Sequence, residues 1–253
     1  MPQKKVLITG YTGVVGEVLV EGLKDIYNLS GISRNPVEMD GIDVFQADIT
    51  DKDSLYEPFS NVDTVLHLAA EPSIYAEWDS VLTNNIEGVY NVFSTAKEKN
   101  VKRIVFASTN HVTGIYTKKR KPMNAEMPVA PDSLYGVSKV FGEALGRYYA
   151  EYFDLSVFSL RIGWICREDT PLMVRDEELK EELYRMWLSH RDLVDMVKKC
   201  INAPQDIKHQ IFYCMSDNLG SLWDHSDAKT IVGYNPRDDS STYLKEDRQW
   251  FQG

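Results

Sequence analysis

Val6-Leu-Ile-Thr9-Gly10-Tyr-Thr-Gly13-Val-Val-Gly16 is the stretch from which the rest of the chain can be read. Val6-Leu-Ile8 is a short apolar run that stops at a glycine, the pattern of a buried strand. Beyond Gly13, apolar Val14, Val15, Val18, Leu19 and Leu23 recur at helical spacing to about Tyr27. A strand joined to a helix by glycines at 10, 13 and 16 can hold a pyrophosphate. Such a turn needs permissive backbone angles and close approach of the phosphates, and the helix N-terminus offers free N–H groups. The spacing is G-x-x-G-x-x-G rather than G-x-G-x-x-G, and a purely structural turn would use the same residue type. The expectation is a dinucleotide lying along Gly10, Thr12, Gly13, Val14 and Gly16.

Outward from this turn, strand and helix patterns alternate. Strands are expected at Leu29–Ser33, Val44–Asp48, Thr64–Leu68, Arg103–Ala107 and Val157–Arg161. Helices are expected from Thr50 or Asp51 to about Phe59, from about Trp78 to Lys99, and over 133–153. The strands are apolar on both faces, and βαβ spacing places a helix between each pair. This predicts an α/β fold, a doubly wound, mainly parallel sheet of Rossmann type. In the tail, Asp176–Trp187 reads as helical, Ser189-His-Arg-Asp192 as a cap for a helix through Ala203, Gln210–Cys214 as a strand, and Ser226 as the cap of a last short helix. With no Gly-, Ser- or Pro-rich linker, residues 1–253 are expected to form a single domain, a dinucleotide-binding core over 1–162 with a small C-terminal substrate-side extension over 163–253.

Composition narrows the partners. The chain has 28 basic and 38 acidic residues, a net charge of −10, which argues against nucleic acid or an anionic membrane as the main partner. Cys166, Cys200 and Cys214 are odd in number and show no C-x-x-C spacing, so neither a disulfide framework nor a zinc site is expected. The amino terminus runs straight into a strand, and no apolar run approaches a membrane span. A cytoplasmic protein is expected. His111 has no second histidine at ligand spacing, and His67 falls inside a strand as a packed residue, so no metal is expected.

Tyr135-Gly-Val-Ser-Lys139 puts a phenol and an ammonium one helical turn apart on one face. A tyrosine with a pKa near 10 is a poor base at neutral pH, and a neighbouring cation stabilises its phenolate. Lys139, together with the positive charge of an oxidised nicotinamide, is expected to tune Tyr135 as a general base, and Lys139 also to hold the cofactor ribose. The fifth strand delivers Ser108-Thr109-Asn110-His111 at its carboxyl end, where open α/β sheets bind ligands. Thr109 is the expected oxygen-orienting hydroxyl, with Asn110 and His111 at the pocket mouth. The second strand ends in Ser33-Arg34 where an NAD enzyme usually offers an acid, which predicts NADP over NAD. A solvated loop arginine is the plain alternative. Asp48 and the following Ile49, with Leu68-Ala69-Ala70 at the fourth strand's end, are expected to line the cofactor, although an aspartate there could equally fix its own loop.

Together these motifs resemble the extended short-chain dehydrogenases/reductases, the NAD-dependent epimerase/dehydratase family. The resemblance spans nearly the whole chain and includes Asn85 in Asn84-Asn-Ile-Glu-Gly88. It implies that Asn85 and Ile162 join the cofactor-binding set. Phe106-Ala-Ser-Thr-Asn-His-Val-Thr-Gly114, Leu134–Glu143 and Met186-Trp-Leu-Ser189 are similar to uronate dehydrogenases and related archaeal sugar-phosphate dehydrogenases. Those enzymes oxidise the anomeric carbon of a pyranose to a lactone. The resemblance implies that Ser73, Thr109, Asn110, His111 and Trp164 touch a sugar. Trp164 departs from the small polar residue usual there. The family's carboxylate-binding arginine falls in a stretch that is longer and rearranged here (Arg167 through Arg185), so no single arginine is picked out; Arg175 and Arg185 are candidates, with a solvated charged helix as the plainer reading. A hexuronate, a hexose and a hexose phosphate all stay open. A nucleotide-sugar epimerase or reductase, and an NADP-binding sensor without turnover, are the alternatives. The family also implies a possible homo-oligomer through the helices of Asn85 and Tyr135, whose apolar Val89, Val92, Phe93, Val140, Phe141 and Leu145 suit either a partner or the sheet.

Overall fold

Alternate residues of a strand face opposite sides of a sheet, so a strand covered on both sides must be apolar throughout. The computed structural model, which describes residues 3–174 and 177–243, meets this demand with a seven-stranded parallel sheet. Its strands are β1 (Lys5–Thr9), β2 (Asn28–Ser33), β3 (Ile42–Gln46), β4 (Thr64–His67), β5 (Arg103–Thr109), β6 (Ser156–Ile162) and β7 (His209–Cys214), in the order β3-β2-β1-β4-β5-β6-β7. The helices are α1 (Val14–Leu23), α2 (Trp78–Val81), α3 (Gly88–Glu98), α4 (Gly114–Lys118), α5 (Leu134–Tyr152), α6 (Glu177–Arg185), α7 (His190–Asn202) and α8 (Ser226–Val232).

In β1, Val6 and Ile8 pack with Leu19, Val20 and Leu23 of α1 and Leu193, Met196 and Val197 of α7, whereas Leu7 packs with Val89, Val92 and Phe93 of α3. Burying each such side chain is worth about 1.5–3 kcal/mol. Both layers of the sheet are thereby closed. The order reverses between β1 and β4, and the carboxyl ends at that switch point are where such sheets bind ligands.

The structure differs from expectation in several places. The stretch from Thr50 to Phe59 holds only a 3₁₀ turn at Asp53–Leu55. Local side chains take its backbone groups: Asp48 Oδ1 accepts from Thr50 N at 2.9 Å, Asp51 Oδ1 from Asp53 N at 3.1 Å, and Ser54 Oγ donates to Asp51 O at 2.8 Å. The expected helix of Trp78 to Lys99 is interrupted by a π turn over Leu82–Glu87, which carries Asn85 into the interior. Single π turns recur at functional sites. The last short helix is preceded not by a capping Ser226 hydroxyl but by Asp224, whose Oδ1 accepts from Ser226 N at 2.8 Å. Within the sheet β7 pairs with β6, and α7 packs on α1. Val89, Val92 and Phe93 are consumed by the sheet; the exposed apolar residues of α3 and α5 are instead Tyr90, Leu134, Val137, Tyr148 and Tyr152. Among the described residues no helix is long and apolar enough to cross a membrane.

Candidate active site

Two cavities adjoin at the carboxyl ends of the strands and share Val15, Leu68, Ala70 and Pro72. The first, about 450 Å³, lies over the β1–α1 turn and is lined by Gly10, Thr12, Gly13, Val14, Gly16, Ser33, Arg34, Asp48, Ile49, Leu68, Ala69 and Ala70. The second, about 350 Å³, is lined by Thr109, Asn110, His111, Tyr135, Lys139, Ile162 and Trp164 among others. A larger concavity of about 540 Å³ beside Asp217, Asp224 and Asp239 contains none of these groups.

The three turn glycines serve different ends. Gly10 has φ +73, and a Cβ there would lie 2.9 Å from Ala69 backbone; one on Gly16 would lie 2.5 Å from Tyr11 backbone. Both are required by the fold itself. Gly13 is not: its φ is −82, and a Cβ would meet only Gly10 O at 3.5 Å, an ordinary contact. Gly13 lines the cavity, so what glycine preserves there is room for a ligand. This fits a dinucleotide held along the turn. Gly13→Ala is therefore expected to keep the wild-type Tm within about 2 °C and to weaken dinucleotide binding at least about tenfold by calorimetry. Unchanged affinity would contradict the assignment.

The strand end opposite the turn is set by Thr9. Its Oγ1 accepts from Leu68 N and Ala69 N, both at 3.1 Å, and lies 2.8 Å from His67 Nδ1. With two N–H groups already donating to it, the Thr9 hydroxyl donates to the ring, so His67 is neutral with Nδ1 unprotonated. Burial, and then the charge of Lys139, hold its pKa down to about 3. His67 is a packed strand residue, as expected.

Tyr135 and Lys139 project from the first turns of α5, whose N-cap is Ser133, Oγ accepting from Gly136 N at 3.1 Å. Lys139 Nζ donates to Ala107 O at 2.7 Å and sits 5.6 Å from the Tyr135 ring centroid. The sequence leads one to expect a tyrosine activated by its lysine together with the charge of an oxidised nicotinamide, and without a ligand only the lysine is present. Burial dominates instead: it pushes Lys139 down to about 7 and Tyr135 up to about 12, with the hydroxyl of Thr109 opposing the rise. The unliganded protein thus holds a neutral phenol, and a base at pH 7 requires positive charge brought by the ligand.

Beneath these groups runs a buried polar chain to which the sequence alone gives no role. Glu143 accepts from Ser108 Oγ at 2.6 Å and pairs in bidentate fashion with Arg161, Nε at 2.9 Å and Nη2 at 2.8 Å. Arg161 Nη1 reaches Tyr213 Oη at 3.4 Å, and that hydroxyl meets Thr113 Oγ1 at 2.8 Å. The chain anchors β5 at the residue before Thr109. Its only sequence signal is charge inside stretches otherwise buried.

Asn85, expected among the cofactor contacts, lines neither cavity. Its Oδ1 accepts from Glu71 N at 2.7 Å, and its Nδ2 donates to Glu71 O and to Ser138 Oγ, both at 3.0 Å. It ties the loop after Ala70 to α5, and its neighbour Asn84 lines the first cavity. Asp48 fixes its own loop through Thr50 N while also lining that cavity. Ser73 is exposed and lines neither cavity. Arg185 is not on a solvated face: it is 7% exposed and pairs with Glu181 at 2.7 Å. Arg175 lies outside the described residues. Two motifs far apart in sequence meet here, because Trp164 N donates to Met186 O and Leu188 N to Trp164 O, both at 2.8 Å.

Residues 6–166 match the model of the NAD dependent epimerase/dehydratase family. Among curated relatives, the L-arabinose 1-dehydrogenase (NAD(P)(+)) of Haloferax volcanii is 37% identical over 95% of this chain and 99% of its own. The NAD-dependent glucose-6-phosphate dehydrogenase of the same organism is 35% identical over 95% of this chain and 96% of its own. Among solved structures, uronate dehydrogenase from Agrobacterium tumefaciens superposes with a TM-score of 0.85 at 28% identity, covering 97% of this chain and 88% of its own.

Proposed function

The chain belongs to the NAD-dependent epimerase/dehydratase family, and from that premise we propose that it is an NAD(P)-dependent sugar dehydrogenase that oxidises the anomeric carbon of a small pyranose to a lactone. The observation that carries this reading is the convergence of Thr109, Tyr135 and Lys139 on a cavity of about 350 Å³ that opens into the glycine-floored one. Bound in its oxidised form, a dinucleotide supplies the hydride acceptor and a positive charge. The other tasks fall to the protein. Gly13 and its neighbours receive the pyrophosphate. Lys139, hydrogen-bonded to Ala107 O, is placed to hold ribose hydroxyls and keep a cation beside the phenol. Thr109 orients the anomeric oxygen, and Tyr135 accepts its proton as the carbonyl forms. Neutral His67 adds no competing charge below the site. The test is addition of aldoses to protein with NAD+ or NADP+, followed by nicotinamide absorbance and by NMR of the sugar product. Lactone is expected; tight dinucleotide binding without reduction would contradict the reading.

NADP is the preferred cofactor in this proposal. Arg34 is exposed on the cavity wall, and Gln46 Nε2 donates to its carbonyl at 3.1 Å, fixing the backbone from which the guanidinium extends. Ser33 Oγ lies beside it, accepting from Asn35 N at 3.3 Å. A guanidinium and a hydroxyl at this strand end suit a 2′-phosphate. Arg34→Ala is expected to lower the NADP-to-NAD ratio of kcat/KM by about tenfold, the worth of one exposed charge-assisted pair. An unchanged ratio would remove Arg34 from cofactor choice.

A further inference from the structure

We propose that the sugar is uncharged, an aldopyranose whose C5 bears hydrogen, methyl or hydroxymethyl and not a carboxylate or phosphate ester; this rests on the sugar-dehydrogenase reading above. The walls of the cavity beside Tyr135 include Ile74, Trp164, Ile165, Leu183 and Met186. Its polar edge is Thr109, Asn110 and His111. Among the described residues, Lys139 is the one lysine or arginine lining it, and that ammonium is bonded to Ala107 O at 2.7 Å on the Tyr135 side. The His111 imidazole is held 2.9 Å from an Asp132 oxygen, so the group that looks cationic comes with an acid attached. Arg185, next to Met186 in sequence, is buried in its pair with Glu181. Glu182 on α6 is close enough to His111 and Asp132 for both to act on its titration, and burial raises its carboxyl pKa. Lys118 and Arg120 also lie near Glu182, but none of Asp132, Glu182, Lys118 and Arg120 lines the cavity, and Arg120 is itself 2.6 Å from Glu181.

A carboxylate or phosphate entering this space would shed water and meet, among the described residues that line it, no lysine or arginine but Lys139, already bonded to Ala107 O. Burying an unpaired charge costs several kcal/mol, whichever way the ring is turned. A neutral C5 substituent meets apolar walls from Ile74, Ile165, Leu183 and Met186 and the indole of Trp164. The hydroxyls have Thr109, Asn110 and His111 as partners.

The experiment compares substrates that differ only at C6: D-galactose against D-galacturonate, and D-glucose against D-glucuronate and D-glucose 6-phosphate. L-Arabinose, galactose without its C6, completes the set. With wild-type protein, kcat/KM for the neutral member is expected to exceed that of its charged partner by at least about tenfold in each pair. Leu183→Arg, which puts a cation on the wall, is expected to move the galacturonate-to-galactose ratio upward by about tenfold. Equal rates within a pair, or preference for an anion, would overturn the proposal while leaving a sugar dehydrogenase. An unmoved ratio in Leu183→Arg would overturn it as well. Absence of Tyr135-dependent reduction with every sugar would overturn the dehydrogenase reading and this proposal with it.

Discussion

Tyr135→Phe is expected to bind the dinucleotide with wild-type affinity, melt at the wild-type temperature and lose about 10²–10⁴-fold in kcat, the range of one general base. The ring is half-buried on α5, and phenylalanine keeps its packing against His111, whose ring centroid is 6.2 Å away. What disappears is one hydroxyl, the group that would take the anomeric proton. In the unliganded protein that hydroxyl is held neutral, its pKa near 12 because burial penalises a phenolate. Lowering that pKa from about 12 to 7 requires about 1.4 kcal/mol of differential stabilisation for every unit, hence roughly 7 kcal/mol in all. Lys139 and a cationic ligand together must provide it. Loss in kcat without loss of dinucleotide binding therefore separates proton transfer from cofactor positioning. A variant within about threefold of wild-type kcat would remove Tyr135 from the chemistry.

Arg161→Met is expected to lower stability by about 3–5 kcal/mol and Tm by roughly 10 °C, because it strands the Glu143 carboxylate in the interior. Arg161 and Glu143 are 1% and 4% exposed at their side chains, so solvent cannot replace the lost partner. Glu143→Leu alone should cost a similar amount for the converse reason. Combined, the two changes remove both charges at once, and well-packed apolar replacements of a buried pair are often neutral. The double variant is therefore expected to recover most of the loss in urea unfolding. Additive losses would mean the pair is not coupled as its geometry indicates. Because Glu143 also accepts from Ser108, residual activity in the double variant reports how far Thr109 depends on this anchor.

Much of this was legible in the sequence, for identifiable physical reasons. Val6-Leu-Ile8 and Arg103–Ala107 are apolar on both faces, and only a sheet covered on both sides accommodates that. Glycine, tyrosine and lysine at turn and helix spacings marked the two cavities, because these positions answer to local geometry. What was not legible depended on tertiary partners. Asn85 reads from the motif alone, whereas the partners of its amide, Glu71 and Ser138, come from the fold. The Thr50–Phe59 helix fails because Asp48, Asp51 and Ser54 offer the backbone closer partners. The spacing of Tyr135 and Lys139 points to a phenol tuned by an ammonium, yet burial raises the one and lowers the other, and a spacing carries no information about burial. The Glu143–Arg161 pair joins residues from α5 and β6 whose contact no periodicity announces.

The central claim is that hydride leaves the anomeric carbon of a sugar whose hydroxyl Tyr135 deprotonates. The most direct test is to supply an aldose carrying deuterium at C1, with NADP+ or NAD+, and to examine the reduced nicotinamide by NMR. The account predicts deuterium at nicotinamide C4 with wild-type protein, lactone as the sugar product, and neither with Tyr135→Phe. Reduced nicotinamide that carries no deuterium, formed while the anomeric position keeps its label, would contradict it.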